Sequence, residues 1–253
     1  MAVQPPRAAT PMVRVPRPST VDLITAELRS AIFSGALPVG SPIGEVEMAS
    51  QLGVSRSPLR ESMQRLVQER LLTASPGRGM RVSEIGPERV ADVYDARLAI
   101  EAQAARLIIK AGAESVLDRL EAAYAALVEV SQGTDALAIS DADLEFHRLL
   151  VDVAGSARLA LYMSTLVIET RIAGLSGDGD GYTARRSVSE TYRQLLDALA
   201  AGDAFAAFTA LELQFAEAVA RHTGQAGDVD TVETPVTEAI AVITPIEVVD
   251  DEG

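Results

Sequence analysis

Three residues within five positions could grip an anion. Arg56, Ser57 and Arg60 fall at the start of a segment with helical spacing, and Leu59, Met63 and Leu66 form an apolar stripe behind them. A guanidinium fork can pair bidentately with guanine or clamp a phosphate, so arginines at a helix N-terminus suit the reading of a major groove. Ser55 or Ser57 can cap that helix, with Pro58 in its first turn. Arg78 and Arg81, in a segment with the pattern of a β-hairpin, could reach an adjacent backbone or minor groove. The same arginines could also coat a purely structural helix. Far along the chain, Asp143 and His147 stand four apart, so they project from one helix face. Such a pair can bind one ion or simply hydrogen-bond to each other.

Positioning the arginines takes a small set of elements. Apolar residues at Leu23, Ile24, Leu28 and Ile32 predict a helix over Val21–Phe33, capped by Ser19 or Thr20 and stopped by Gly35. A short helix over Glu45–Leu52 and a second over Ser55–Glu69 flank Gly53 and Val54, the glycine for a tight turn and the valine to anchor it. Leu71–Ala74 and Met80–Val82 flank Pro76-Gly77-Arg78-Gly79, which predicts the hairpin. Two short helices followed by a hairpin describe a winged helix-turn-helix, whose second helix enters a major groove.

Beyond Gly86 the pattern changes to long helical stretches with brief breaks. Helices are expected over Pro87–Ala111, Glu114–Gln132, Asp135–Ala154, Ser156–Ala173, Ala184–Ala201 and Asp203–His222. Pro87 suits a first turn, and Asp135, Ser156 and Asp203 suit caps. Gly174–Tyr182 reads as a loop; its Asp-Gly alternation hints at calcium but lacks the spacing and closing Glu of such a site. The expected fold is mostly α: an N-terminal winged helix-turn-helix domain, then an antiparallel all-α helical bundle. The expected divisions are an arm at 1–19, the winged helix at 20–85, the bundle at 86–222 and an acidic tail at 223–253.

Composition agrees with this division and excludes several chemistries. The net charge is −14, yet residues 1–20 hold three arginines and no acid, while residues 21–85 balance seven arginines against seven acids. Residues 86–222 carry 12 bases against 21 acids, and 223–253 carry eight acids and no base. The first third is therefore the relatively electropositive end, where an anionic partner would dock. Cysteine is absent, which removes thiolate metal sites and cysteine nucleophiles. No glycine-rich phosphate loop and no serine elbow occurs either. With no apolar run near the ~20 residues a membrane span needs and no signal peptide, the expected location is cytoplasmic.

The strings Ile32-Phe33-Ser34-Gly35-Ala36-Leu37-Pro38-Val39-Gly40 and Gly53-Val54-Ser55-Arg56-Ser57-Pro58-Leu59-Arg60-Glu61, with Arg65-Leu66 and Gly77-Arg78-Gly79, resemble the DNA-binding domain of the GntR superfamily. Departures are Val39, in place of a usual turn residue, and Glu69-Arg70, where a glycine commonly precedes the hairpin. Tyr94–Glu101, Asp143-x-Glu145-Phe146-His147 and Leu195–Leu199 with Gly202-Asp203 resemble the FCD effector domain of the FadR type. This second resemblance implies a cavity for a small carboxylate, and in many members a divalent metal held by one Asp and three His. The metal positions map to Asp143 and His147, but the next two fall on Tyr192 and Gln214, so two histidines are missing. His222 lies eight residues past Gln214, about 12 Å along a helix, too far to substitute.

Tyr192 and Gln214 could instead hydrogen-bond a ligand directly. By the same resemblance Arg97 and Arg171 face the cavity, where either could clamp a carboxylate or bridge within the bundle. No cofactor is expected, and any divalent metal would rest on Asp143 and His147. The implied function is a ligand-responsive transcription regulator, a homodimeric repressor on a palindromic double-stranded operator, with no membrane partner. Two alternatives are a regulator governed by a protein partner and a metal-dependent enzyme built on Asp143 and His147.

Overall fold

The computed structural model describes residues 18–75, 79–176 and 188–223. Helix α1 (Thr20–Phe33) opens with a reciprocal capping box: the Asp22 amide donates to the Ser19 hydroxyl at 3.1 Å, and the Ser19 amide returns a bond to Asp22 Oδ2 at 2.8 Å. The Ser19 hydroxyl, which donates to Asp22 Oδ2 at 2.7 Å, then the Ser19 amide and then Arg65 of the third helix hold the Asp22 carboxyl below the usual carboxylate range. Strand β1 (Pro42–Ile43) leads into α2 (Glu45–Gln51), then α3 (Arg56–Gln68), β2 (Leu72–Ser75) and β3 (Gly79–Val82). Ile24, Leu28 and Ile32 of α1 meet Leu59, Met63 and Leu66 of α3 in the core.

The turn between α2 and α3 closes as a Schellman motif. Val54 N–H reaches Ala49 O at 3.0 Å, and Gly53 takes φ +64°, which an L side chain adopts only at a cost. The same motif ends α3, with Leu71 N–H bonded to Leu66 O at 2.9 Å. Its left-handed position is filled by Arg70 at φ 66°, in the Glu69-Arg70 pair where the resemblance expects glycine. The fold holds that residue at a cost of about 1 kcal/mol.

The sheet has three antiparallel strands in the order β1-β3-β2, one more than the expected hairpin. Strand β1 pairs Pro42 with Arg81 and Ile43 with Met80. Two residues are too few to show alternation, and the pairing rests on backbone contacts from distant sequence, including Val82 N–H to Ser41 O at 2.9 Å. Ser55 occupies the N-cap of α3, yet makes no side-chain capping bond, and Ser57 lies inside the helix. The expected serine cap is therefore corrected to an uncapped start.

Among the described residues six helices follow: α4 (Pro87–Ala111), α5 (Glu114–Ser131), α6 (Ala136–Val153), α7 (Ala157–Ser176), α8 (Val188–Ala201) and α9 (Ala204–His222). Asp135 and Asp203 cap α6 and α9 by accepting from two backbone amides each. Helix α4 packs against α6, α7, α8 and α9. Helix α7 runs three residues past its expected end, through Gly174–Ser176. Ser176 Oγ bonds Ile172 O at 2.8 Å and accepts from Ile85 N–H at 3.3 Å, which fastens that turn to the segment joining the two units. The rest of the expected Gly174–Tyr182 loop, residues 184–187, most of the arm and most of the tail lie outside the described residues.

Candidate functional site

The exposed edge of α3 carries Ser55, Arg56, Ser57 and Arg60 above the buried Leu59, Ser62, Met63 and Leu66. The buried Ser62 hydroxyl, 3.1 Å from the Val21 carbonyl, seats α3 on α1, so the arginine edge faces outward. Arg56 has no ion-pair partner among the described residues, while Arg60 Nε donates to Glu45 Oε2 at 2.7 Å. Arg81 is exposed, but its Nη1 donates to Gly40 O at 2.6 Å, so part of its fork is spent bracing β1. Arg78 lies outside the described residues.

The second group of expected residues converges inside the bundle. Arg97, Asp143, His147, Tyr192 and Gln214, from α4, α6, α8 and α9, line a cavity of about 20 Å³. Space of that size holds roughly one water. Tyr94 and Phe215 also line it, and Thr191, Glu217, Ala218 and Arg221 complete its wall. Arg97 is 1% exposed, its Nε donates to Glu101 Oε1 at 3.0 Å, and its guanidinium carbon lies 4.6 Å from the Phe215 ring centre. Burial opposes its charge, but Glu101, with Tyr94 and Asp143, outweighs that penalty and holds the guanidinium above its ordinary range.

Glu101 is the residue that sequence reasoning passed over. Fully buried, it accepts from Arg97 on one oxygen and lies 2.5 Å from His147 Nδ1 on the other. One signal was available: Arg97 and Glu101 continue the buried face of α4 that runs from Val90 and Tyr94 to Ala105 and Ile108. Two opposite charges at i and i+4 inside an apolar stripe mark a buried pair rather than a solvated one.

The Asp143–His147 pair is bridged by a third residue. Their facing atoms are 4.0 Å apart, and the Tyr192 hydroxyl stands between, donating to Asp143 Oδ1 and lying 3.0 Å from His147 Nε2. A phenol has one proton, here given to Asp143, so its oxygen accepts from Nε2. Both ring nitrogens of His147 are thus engaged, Nδ1 with Glu101 and Nε2 with Tyr192, and neither is free to ligate a metal in this arrangement. Among the described residues, no group of three or more His, Cys, Asp or Glu is arranged to hold an ion. The residues present therefore do not fit the cage of one Asp and three His.

Arg171 is corrected. It does not line the cavity; it pairs with Asp141, with Nη2 to Oδ2 at 3.0 Å, and its guanidinium carbon sits 4.2 Å above the Phe33 ring of α1. Asp141 is exposed on α6, two residues and about 200° around the helix from Asp143, which draws Arg171 outward. The residue joins the bundle to the winged helix instead. His222 does reach the cavity rim by another route, with Nε2 3.5 Å from the Tyr94 hydroxyl.

Comparison with known proteins follows the same division. Residues 20–82 match the family of bacterial regulatory proteins of the gntR family, and residues 92–217 match the FCD domain. The chain is 32% identical over 174 residues to a probable D-xylose utilization operon transcriptional repressor of Paenarthrobacter nicotinovorans, covering 68% of this chain and 75% of that protein. It is 29% identical over 173 residues to an uncharacterized HTH-type transcriptional regulator of Bacillus subtilis (strain 168), covering 67% and 77%. The crystal structure of a GntR transcriptional regulator from Rhodococcus sp. RHA1 superposes with a TM-score of 0.70 at 26% identity, covering 81% of this chain and 97% of that one.

Replacing Glu101 with Ala strands both Arg97 and His147, and breaking a buried pair of this kind costs about 3–5 kcal/mol. Chemical denaturation of the purified Glu101→Ala protein should show a loss of that size. A loss below about 1 kcal/mol would mean that the cluster does not hold the bundle together.

Proposed function

Because this chain belongs to the bacterial GntR family and carries an FCD domain, we propose that it is a repressor that reads a palindromic operator as a homodimer and releases it on binding a small carboxylate. The observation that carries the DNA half is the arginine edge of α3, standing outward on a helix whose opposite face is the core of the winged helix. One short helix supplies few base contacts, so a two-fold protein on a two-fold site is the economical arrangement.

The carboxylate half is supported by donors left over in the bundle. Arg97 Nη2 and both amide atoms of Gln214 are buried with no hydrogen-bond partner among the described residues. Buried polar atoms without partners are costly, and an anion that accepts from Arg97 Nη2 and Gln214 Nε2 would relieve those two donors. A carboxylate is larger than the space of one water, so it is admitted by a conformation in which Tyr192 has moved. Binding then favours that conformation in proportion to the ligand's preference for it. Helix α7 gives the shift a route to the winged helix through Arg171 on Phe33 and Ser176 on Ile85.

In this reading the ligand is recognised directly, with no transition metal and no catalysis, in the cytoplasm where its operator lies. Elemental analysis of untagged protein should find no stoichiometric transition metal. One ion per chain, with melting lowered by EDTA and by His147→Ala, would contradict it.

The DNA reading is tested on a duplex selected from a randomised pool. Arg56→Ala and Arg60→Ala should each weaken binding by about 1–3 kcal/mol and relax the choice of base at one position. Wild-type affinity in both variants would overturn the assignment of α3.

A further inference from the structure

The ion pair between α2 and α3 assigns a role to a residue that no motif marks. Glu45 is the first residue of α2, and its Oε2 accepts from Arg60 Nε at 2.7 Å. The Arg60 side chain is 60% exposed, the Glu45 side chain 29%. Only Nε is engaged: the two terminal nitrogens of Arg60 have no partner among the described residues.

From this geometry we infer that Glu45 is a positioning residue for base reading: it holds the Arg60 guanidinium by its inner nitrogen so that the outer pair of N–H groups is presented to a guanine edge. The inference rests on the DNA reading proposed above. Arginine brings a large side-chain rotamer entropy to any contact, and a bond at Nε removes much of that freedom before DNA arrives. The fork that remains, Nη1 with Nη2, is one that matches the O6 and N7 acceptors of guanine. A carboxylate is otherwise a poor neighbour for a polyanion, because its charge weakens the general attraction to phosphates. Glu45 therefore trades sequence-independent affinity for discrimination at one base pair.

The other acids nearby do not share this geometry. Glu61 is engaged by Arg65 at 3.1 Å, and Glu47 by Gln51 at 3.3 Å, both within their own helices. Glu45 bridges from one helix of the reading motif to the other, so it ties the orientation of Arg60 to the helix that precedes it.

The test uses the full chain and duplexes selected from a randomised pool by the wild-type protein. Binding is measured to the selected duplex, to its single-base-pair variants and to an unrelated duplex, at one salt concentration. Arg60→Ala should flatten the preference at one base pair. Glu45→Ala should reduce the preference at that same base pair about tenfold, while binding the unrelated duplex at least as tightly as wild type. Glu45→Gln, whose amide oxygen still accepts from Nε, should retain most of the preference. In the Arg60→Ala background, Glu45→Ala should change nothing at that position.

Undiminished preference in Glu45→Ala would overturn the inference, as would equal tightening on every duplex, which a pure charge effect gives. Equal weakening on every duplex, with a lowered melting temperature, would also overturn it, because Glu45 would then serve only the fold. If the pool yields no enriched duplex, the DNA reading itself falls, and this inference with it.

Discussion

Charge that must be matched out of contact with water governs the bundle. Arg97 and Glu101 come from α4, Asp143 and His147 from α6, and Tyr192 from α8. Glu101 reaches from α4 to His147 on α6, and Tyr192 from α8 to both Asp143 and His147, so the three are fixed in register as well as in packing. Apolar contacts alone would tolerate a slide of one turn, since alanine, leucine and valine interchange along these faces. A slide of α4 would carry Arg97 along with Glu101 but draw Glu101 away from His147 on α6.

That constraint also leaves a surplus. Arg97 spends Nε on Glu101 and keeps Nη2 idle, and Gln214 offers an amide with neither atom used. A network built only for stability would bury alkyl groups at those two positions. The excess donors beside a small cavity are what make a ligand site the better reading. On the proposed reading, Tyr192, which joins Asp143 to His147, is the part that an incoming anion displaces.

The sequence was a good guide wherever the cause of a structure was local. Capping residues at Ser19, Asp135 and Asp203, the glycine at Gly53 and the apolar stripe of α3 each act within one or two turns, and the elements formed where those signals stood. Strand β1 escaped because its partner lies about forty residues away and its two residues have no period. Glu101 was marked only by its spacing from Arg97 within the stripe, and its second partner, His147, lies on another helix. Arg171 was misdirected because a helix position shared with a family does not determine a long side chain's direction; Asp141 and Phe33 decided that. Of the cavity residues, Asp143 and His147 were legible from spacing, whereas Tyr192 and Gln214 came only through resemblance, being on helices that meet α6 in space and not in sequence.

The most direct measurement of the link between cavity and operator is a titration of the full chain on its selected duplex with a panel of mono-, di- and hydroxycarboxylates. At least one should weaken DNA binding by about 5–150-fold, the usual span of coupling between two sites. Gln214→Leu should bind the duplex as wild type does and lose that response. No response to any carboxylate, or a response that survives Gln214→Leu unchanged, would contradict the assignment of the cavity as the effector site.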